Sequence, residues 1–259
     1  MNFENIGNCV AKICNRDTKR KITNVCVAPL ESVNKIANHF TKITLPDNEI
    51  MQHMPYQVKD KGIHRQILYI SGASGSGKSY YTSMYLKEYI KMFPKNFVYI
   101  FSSIEKDKNL DDISKRIKRI KLNEKFYNTP LKIDDFKDCL VIYDDTEMIT
   151  NPMLQEKLNN IKALIMTTGR HTNTFYIETS HVTGGIRNKL ILIESHSVTL
   201  FLISMGYKTI KYFLETSFGF STDQIRMIMN IDSRWITLFR TQPITIMYES
   251  GMFEMRTNV

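Results

Sequence analysis

The sequence predicts an α/β fold: a mostly parallel sheet covered by helices on both faces, built around a P-loop and carrying a C-terminal β-hairpin. Three observations carry that reading. From Gln66 onward, short apolar runs alternate with helix-length segments, the pattern of parallel strands joined by crossover helices. One run, Ile67-Leu68-Tyr69-Ile70, passes directly into the glycine-rich turn GASGSGKS. A second, Leu140-Val141-Ile142-Tyr143, ends in Asp144-Asp145.

Taken in order, residues 1–60 carry mixed signals. Val33, Ile36 and Phe40 have helical spacing within the stretch from Leu30, and Pro29, Pro46 and Pro55 punctuate it. The expectation is an N-terminal extension or small accessory element over 1–60, followed by one P-loop domain over 61–259. After the glycine-rich turn, Lys78 to Met92 reads as a helix, with Pro94 just beyond it. Phe97 to Phe101 reads as a strand. Asp111 to Ile120 reads as a basic amphipathic helix with Ile113, Ile117 and Ile120 on one face. Met153 to Met166 is the next helix, Thr174 to Glu178 a strand and Val198 to Ser204 another. Lys208 to Phe218 and Ser221 to Ile231 read as helices. Trp235 to Phe239 and Ile244 to Tyr248 read as strands around Thr241-Gln242-Pro243.

The turn after the first strand fits the phosphate-binding pattern: Gly72, four residues (Ala73, Ser74, Gly75, Ser76), then Gly77, Lys78 and Ser79. Glycines let the backbone curl and turn its amide hydrogens inward, where they and the following helix N-terminus meet phosphate oxygens. Lys78 is placed to reach the β- and γ-phosphates of ATP, and the Ser79 hydroxyl to ligate Mg²⁺. A buried strand ending in a carboxylate supplies the other half of such a site. Asp144 is the metal-side carboxylate, and Asp145 the candidate to polarise the attacking water. Glu147 is a rival for that role. Adjacent acidic residues suit water activation, so hydrolysis is the expected reaction.

The chain has 259 residues, with 35 Lys+Arg against 26 Asp+Glu, a net charge of +9. That excess favours a polyanionic partner, most often nucleic acid. Ser114 to Lys121 reads SKRIKRIK, and Lys115, Arg116, Lys118, Arg119 and Lys121 give a basic surface suited to phosphate contacts on any DNA sequence. An ordinary solvated face is the plainer reading of the same charges. No apolar run approaches the ~20 residues needed to span a bilayer, and the first twenty residues lack a signal peptide's apolar core. A soluble intracellular protein is expected. Cys9, Cys14 and Cys26 with His39 fit no zinc spacing, so free thiols in a reducing compartment are expected, with Cys139 a buried thiol.

Taken together, GASGSGKS, VIYDD, TGRHTNT and the strand ending ETSH resemble the DNA-packaging ATPases of large DNA viruses, the poxvirus-type members of the FtsK–HerA superfamily. The tail SRWITLFRTQPITIMYESG resembles the end of homologues from giant viruses related to mimivirus. The resemblance runs from about Arg65 to the C-terminus. It implies an ATP-hydrolysing motor that assembles as a homo-oligomeric ring and drives double-stranded DNA into a capsid, with a capsid or portal protein as a further partner. The implied location is the host cytoplasm, in a viral factory, or the virion. It also implies that another strand, here Thr174 to Glu178, separates the P-loop strand from the acidic one, and that a polar residue at its end senses the γ-phosphate. Many superfamily members have Gln there, whereas this chain offers His181. The second acidic position is usually Glu in the wider superfamily and is Asp145 here. Arg170 is the candidate to act on a neighbouring subunit's nucleotide, with Arg187 in reserve. Arg170 also reads as an ordinary cation at a helix end, and His171 as a structural histidine. The rivals to the motor are a helicase or AAA+-like DNA-dependent ATPase, and an ATP-binding switch or assembly factor with little hydrolysis.

Overall fold

A computed structural model describes residues 1–28, 32, 36–57, 65–181 and 189–256. The chain forms two compact units: Ile63–His196, and Met1–Gly62 together with Ser197–Val259. The N-terminal strands are β1 (Asn8–Asn15), β2 (Lys21–Val27), β3 (Lys42–Thr44) and β4 (Glu49–Gln57). β1 pairs antiparallel with both β2 and β4. That register sets Cys9 opposite Cys26, and the two form a disulfide. The expectation of free thiols is thereby corrected for these two. Their separation in sequence gave no sign of the pairing, which only the strand register creates. Cys14 and Cys139 are buried thiols outside any disulfide. Leu30, Val33 and part of the expected helix around them lie outside the described residues, and Ile36 to Phe40 is not helical.

The unit Ile63–His196 holds β5 (Ile67–Ser71), α1 (Lys78–Met92), β6 (Phe97–Ser102), α2 (Lys108–Asp111), β7 (Ile117–Ile120), α3 (Glu124–Asn128), β8 (Cys139–Asp144), α4 (Pro152–Thr168), β9 (Phe175–Ser180) and α5 (Lys189–Glu194). Its strands lie in the order β5-β9-β8-β6-β7, and every neighbouring pair is parallel. The inserted strand is therefore where the resemblance put it, between the P-loop strand and the acidic strand. β5 and β8 are buried along their whole length, as parallel strands covered on both faces must be. On β9, Phe175 packs on Tyr89 of α1, while Glu178 pairs with Lys162 of α4. Three positions apart on a strand means opposite faces, so α1 and α4 cover the two sides of the sheet.

Local chemistry fixes the helix ends. Asn151 caps α4, its side chain accepting from Met153 and Leu154 N–H, and Pro152 occupies the first helical position. At the far end, the Arg65 guanidinium donates to the Ile165 and Met166 carbonyls, each at 2.7 Å. One expected element is corrected: Asp111 to Ile120 is not a helix. It comprises the end of α2, a turn and the edge strand β7, in which Ile117 pairs with Val98. Isoleucines at three- and four-residue spacing fit a helix face, but β-branched residues also suit a strand, and pairing with β6 decides. The basic surface read from this stretch shrinks accordingly. Arg116 donates to the Ile90, Phe93 and Asn96 carbonyls and Arg119 is paired with Asp111, whereas Lys115, Lys118 and Lys121 are exposed.

In the other unit, the C-terminal residues form β10 (Ser197–Leu200), α6 (Tyr207–Phe218), α7 (Thr222–Met229), β11 (Ile236–Phe239), β12 (Ile244–Tyr248) and β13 (Gly251–Met255). The strand expected over Val198 to Ser204 ends at Leu200, and Leu202–Ser204 is a 3-10 turn. The expected hairpin is β11–β12, antiparallel with Ile236 opposite Tyr248. It continues in a run β3-β13-β12-β11-β10, in which β13 lies beyond the expected hairpin.

Candidate functional site

The loop Gly72–Ser79 joins β5 to α1 at the carboxyl edge of the parallel strands, where α/β sheets bind ligands. Gly75 (φ 75°) and Gly77 (φ 111°) take left-handed backbone. At Gly75 a Cβ would meet nothing within 4 Å, so the dihedral alone calls for glycine. Gly77 caps α1 with no side-chain acceptor over the first-turn amides, which leaves them to an anion. Lys78 Nζ donates to the Gly72 and Ala73 carbonyls at 2.9 and 3.3 Å. Burial lowers its pKa, and Asp145, Glu147 and Asp144 act in the opposite direction. The Ser76 hydroxyl is buried with no hydrogen-bond partner among the described residues. A curled cradle, a buried ammonium and an orphaned donor fit a triphosphate.

The acidic end is assembled by strand register. Asp144 lies beside Ser102 of β6 and Thr179 of β9. Ser102 Oγ donates to Asp144 Oδ2 at 3.3 Å, and the Thr179 hydroxyl lies 3.0 Å from Asp144 Oδ1. Burial raises the Asp144 pKa, the Asp145 charge adds to that, and the Thr179 hydrogen bond opposes it. A buried carboxylate held by two hydroxyls suits the water shell of Mg²⁺. Asp145 has a left-handed backbone (φ 47°), and its N–H donates to Thr179 Oγ1. Its Oδ2 lies 3.0 Å from His181 Nε2, while His181 Nδ1 lies 3.2 Å from Lys78 Nζ. A ring proton on Nε2 satisfies both contacts: His181 then donates to Asp145 and accepts from Lys78. Glu147 is tied down separately, Oε2 accepting from Ser180 Oγ and Oε1 from His181 N–H, both at 2.6 Å. Asp145, Glu147 and His181 bring ligand atoms within 4.8 Å of one another.

Of the sequence-derived candidates, the structure thus joins Lys78, Asp145 and His181 into one chain of contacts, with Asp144 adjacent. Arg170 is elsewhere. It lies in the Gly169–Thr172 turn ahead of β9, exposed, with Nε donating to His171 Nε2 at 3.3 Å. His181 follows the other end of that strand, and six residues of β-strand span roughly 20 Å. Arg170 is therefore at the sheet's opposite edge from its own P-loop. Arg187 lies outside the described residues.

No family model matches the chain. Over 192 residues, 73% of this chain and 77% of its counterpart, it is 38% identical to the uncharacterized protein V3 of Sputnik virophage. The chain belongs to that protein's family. Among solved structures it is similar to the genome packaging NTPase B204 from Sulfolobus turreted icosahedral virus 2 in complex with ATP-gammaS: 14% identity, TM-score 0.45, 70% of this chain and 96% of that one. It is also similar to the cytoplasmic domain of the Thermomonospora curvata type VII secretion ATPase EccC: 11% identity, TM-score 0.49, 90% of this chain and 32% of that one. What this member of the V3 family can do chemically is carried by its own residues.

Several of those residues were not singled out by sequence. Ser102 is a lone hydroxyl at the end of a run, FVYIFS, whose only signal is its position at a strand's carboxyl end. Thr179 and Ser180, which precede His181 in ETSH, bond Asp144 and Glu147. Arg65, just before β5, gave no signal short of the tertiary contact it makes.

Proposed function

We propose that the chain is a magnesium-dependent ATPase that moves double-stranded DNA during viral genome packaging, working as a homo-oligomeric ring. The observation that carries the ATPase reading is the contact chain Lys78–His181–Asp145, which links the phosphate loop to the acidic strand end. Lys78 exchanges the Gly72 and Ala73 carbonyls for β- and γ-phosphate oxygens. Ser79 and Asp144 would hold Mg²⁺, which supplies charge neutralisation on the phosphates when bound. Asp145 accepts the proton of the attacking water, and His181 sets its orientation and reports phosphate occupancy through Lys78. Glu147 keeps the turn after β8 fastened to the end of β9.

The DNA reading is supported by the net charge of +9 and by exposed lysines at 115, 118 and 121; phosphate contacts need no base recognition. The ring reading draws on Arg170: an exposed cation at the far edge from its own loop serves a neighbour's nucleotide or none. A capsid or portal protein would recruit the ring, in a viral factory or the virion. The test is ATP turnover with and without double-stranded DNA at low salt. Stimulation by DNA of several-fold is expected, and turnover indifferent to DNA contradicts the motor.

A further inference from the structure

Segment 121–138, between β7 and β8, folds over β6 and closes a cleft of about 560 Å³. Four aromatic rings form its walls. Phe136 meets Tyr99 edge-on at 6.1 Å between ring centres, and Phe126 meets Phe101 at 5.8 Å. Tyr99 and Phe101 share one face of β6, whereas Ser102, which bonds Asp144, lies on the other. The cleft is thus separate from the phosphate loop's carboxylates.

Its mouth is basic. Lys121 and Lys125 are exposed and make no ion pair among the described residues. Arg119 is held in the wall by Asp111 at 2.9 Å. Of the acidic residues, Asp135 reaches the lining, and its carboxylate accepts the Lys132 N–H. The volume lies inside the range of small-molecule sites, roughly 300–1,000 Å³, and such sites pair apolar walls with a few polar groups. Ring walls favour a planar π-system in stacked or edge-on contact, and the two lysines favour a negative charge at the opening.

The geometry points to a second ligand site, for a planar aromatic group carrying an anionic substituent. Two sources share that chemistry: a free aromatic anion, and an unpaired base with its phosphate in single-stranded nucleic acid. The probe is 8-anilinonaphthalene-1-sulfonate, titrated into the full chain by fluorescence and calorimetry in the presence of magnesium-ATP. One saturable site is expected. Its affinity should fall about fivefold in Lys125→Gln, an exposed change at a residue with no assigned part in DNA contact that should leave the melting temperature unchanged, a loss of ~1 kcal/mol. Thr129→Trp, at the rim, should block it. Displacement of the probe by a short oligothymidylate assigns the site to nucleic acid, and retention assigns it to a free molecule. No saturable site, or equal affinity in wild type and the lysine variant, overturns the proposal. Neither result bears on ATP turnover, so the site and the proposed ATPase stand or fall separately.

Discussion

Among the described residues Lys78 contacts two loop carbonyls and the His181 ring, which places it at the centre of the site. Replacing it by Ala removes an ammonium placed to meet the phosphates, and turnover should drop at least ~10²-fold, the scale of losing a key electrostatic donor. Steady-state hydrolysis by the purified variant checks this. Asp145 and Glu147 make a sharper comparison. Both oxygens of Glu147 are engaged at 2.6 Å by Ser180 and the His181 amide, whereas Asp145 has longer contacts, 3.3 Å to the Thr179 hydroxyl and 3.0 Å to His181 Nε2. Asp145→Asn should lower kcat by ~10²–10⁴, the usual contribution of a general base, and leave the affinity for ATP near that of wild type. Glu147→Gln should lose stability more than turnover. The reverse ranking would transfer the base to Glu147.

At the scale of elements, β9 couples the two halves of the site, and its anchorage is testable. Lys162 of α4 lies 2.6 Å from Glu178, which also accepts from the Tyr176 hydroxyl at 2.6 Å, all of them buried. Removing one partner of a buried pair strands the other charge, so Lys162→Met should cost ~3–5 kcal/mol. Lys162→Met/Glu178→Leu should recover much of that loss, as read from denaturant unfolding. A single variant as stable as wild type contradicts the burial argument. The legibility of each element in the sequence follows from similar physics. Ile67–Ile70 and Leu140–Tyr143 announce themselves because parallel strands buried on both faces are uniformly apolar. The loop GASGSGKS is legible because its geometry demands particular residues. Asp111 to Ile120 misleads because isoleucines spaced four and three apart fit a helix face, while β-branched residues also suit a strand, and the pairing of Ile117 with Val98 decides. Ser102 and the Cys9–Cys26 bond are invisible in the sequence because strand register, a long-range property, creates both.

For the molecule as a whole, charge and pH matter most. Burial lowers the His53 pKa to about 3, and burial followed by the Arg65 charge lowers that of His196 to about 4. His196 Nδ1 accepts the Ile67 N–H at 3.0 Å, a bond that protonation would break. In the unfolded chain both titrate near 6.5. The unfolded state therefore binds more protons between those values, so stability is full above about pH 6.5 and declines as pH falls toward 4. Melting temperature measured from pH 8 to 4.5 should decrease steadily below 6.5; a flat profile contradicts the buried neutral imidazoles. For DNA, Lys118→Ala should reduce the slope of log affinity against log salt by about one. Arg116→Ala should instead lower stability, because Arg116 holds the carbonyls of Ile90, Phe93 and Asn96.

The most direct test is calorimetric titration of the intact chain with magnesium-ATP, beside the Lys78→Ala variant. Saturable binding to the wild type, with affinity greatly weakened in the variant, is the expected result. Absence of any heat of binding in the wild type, or equal affinity in both proteins, would contradict the assignment of Gly72–Ser79 as a triphosphate cradle.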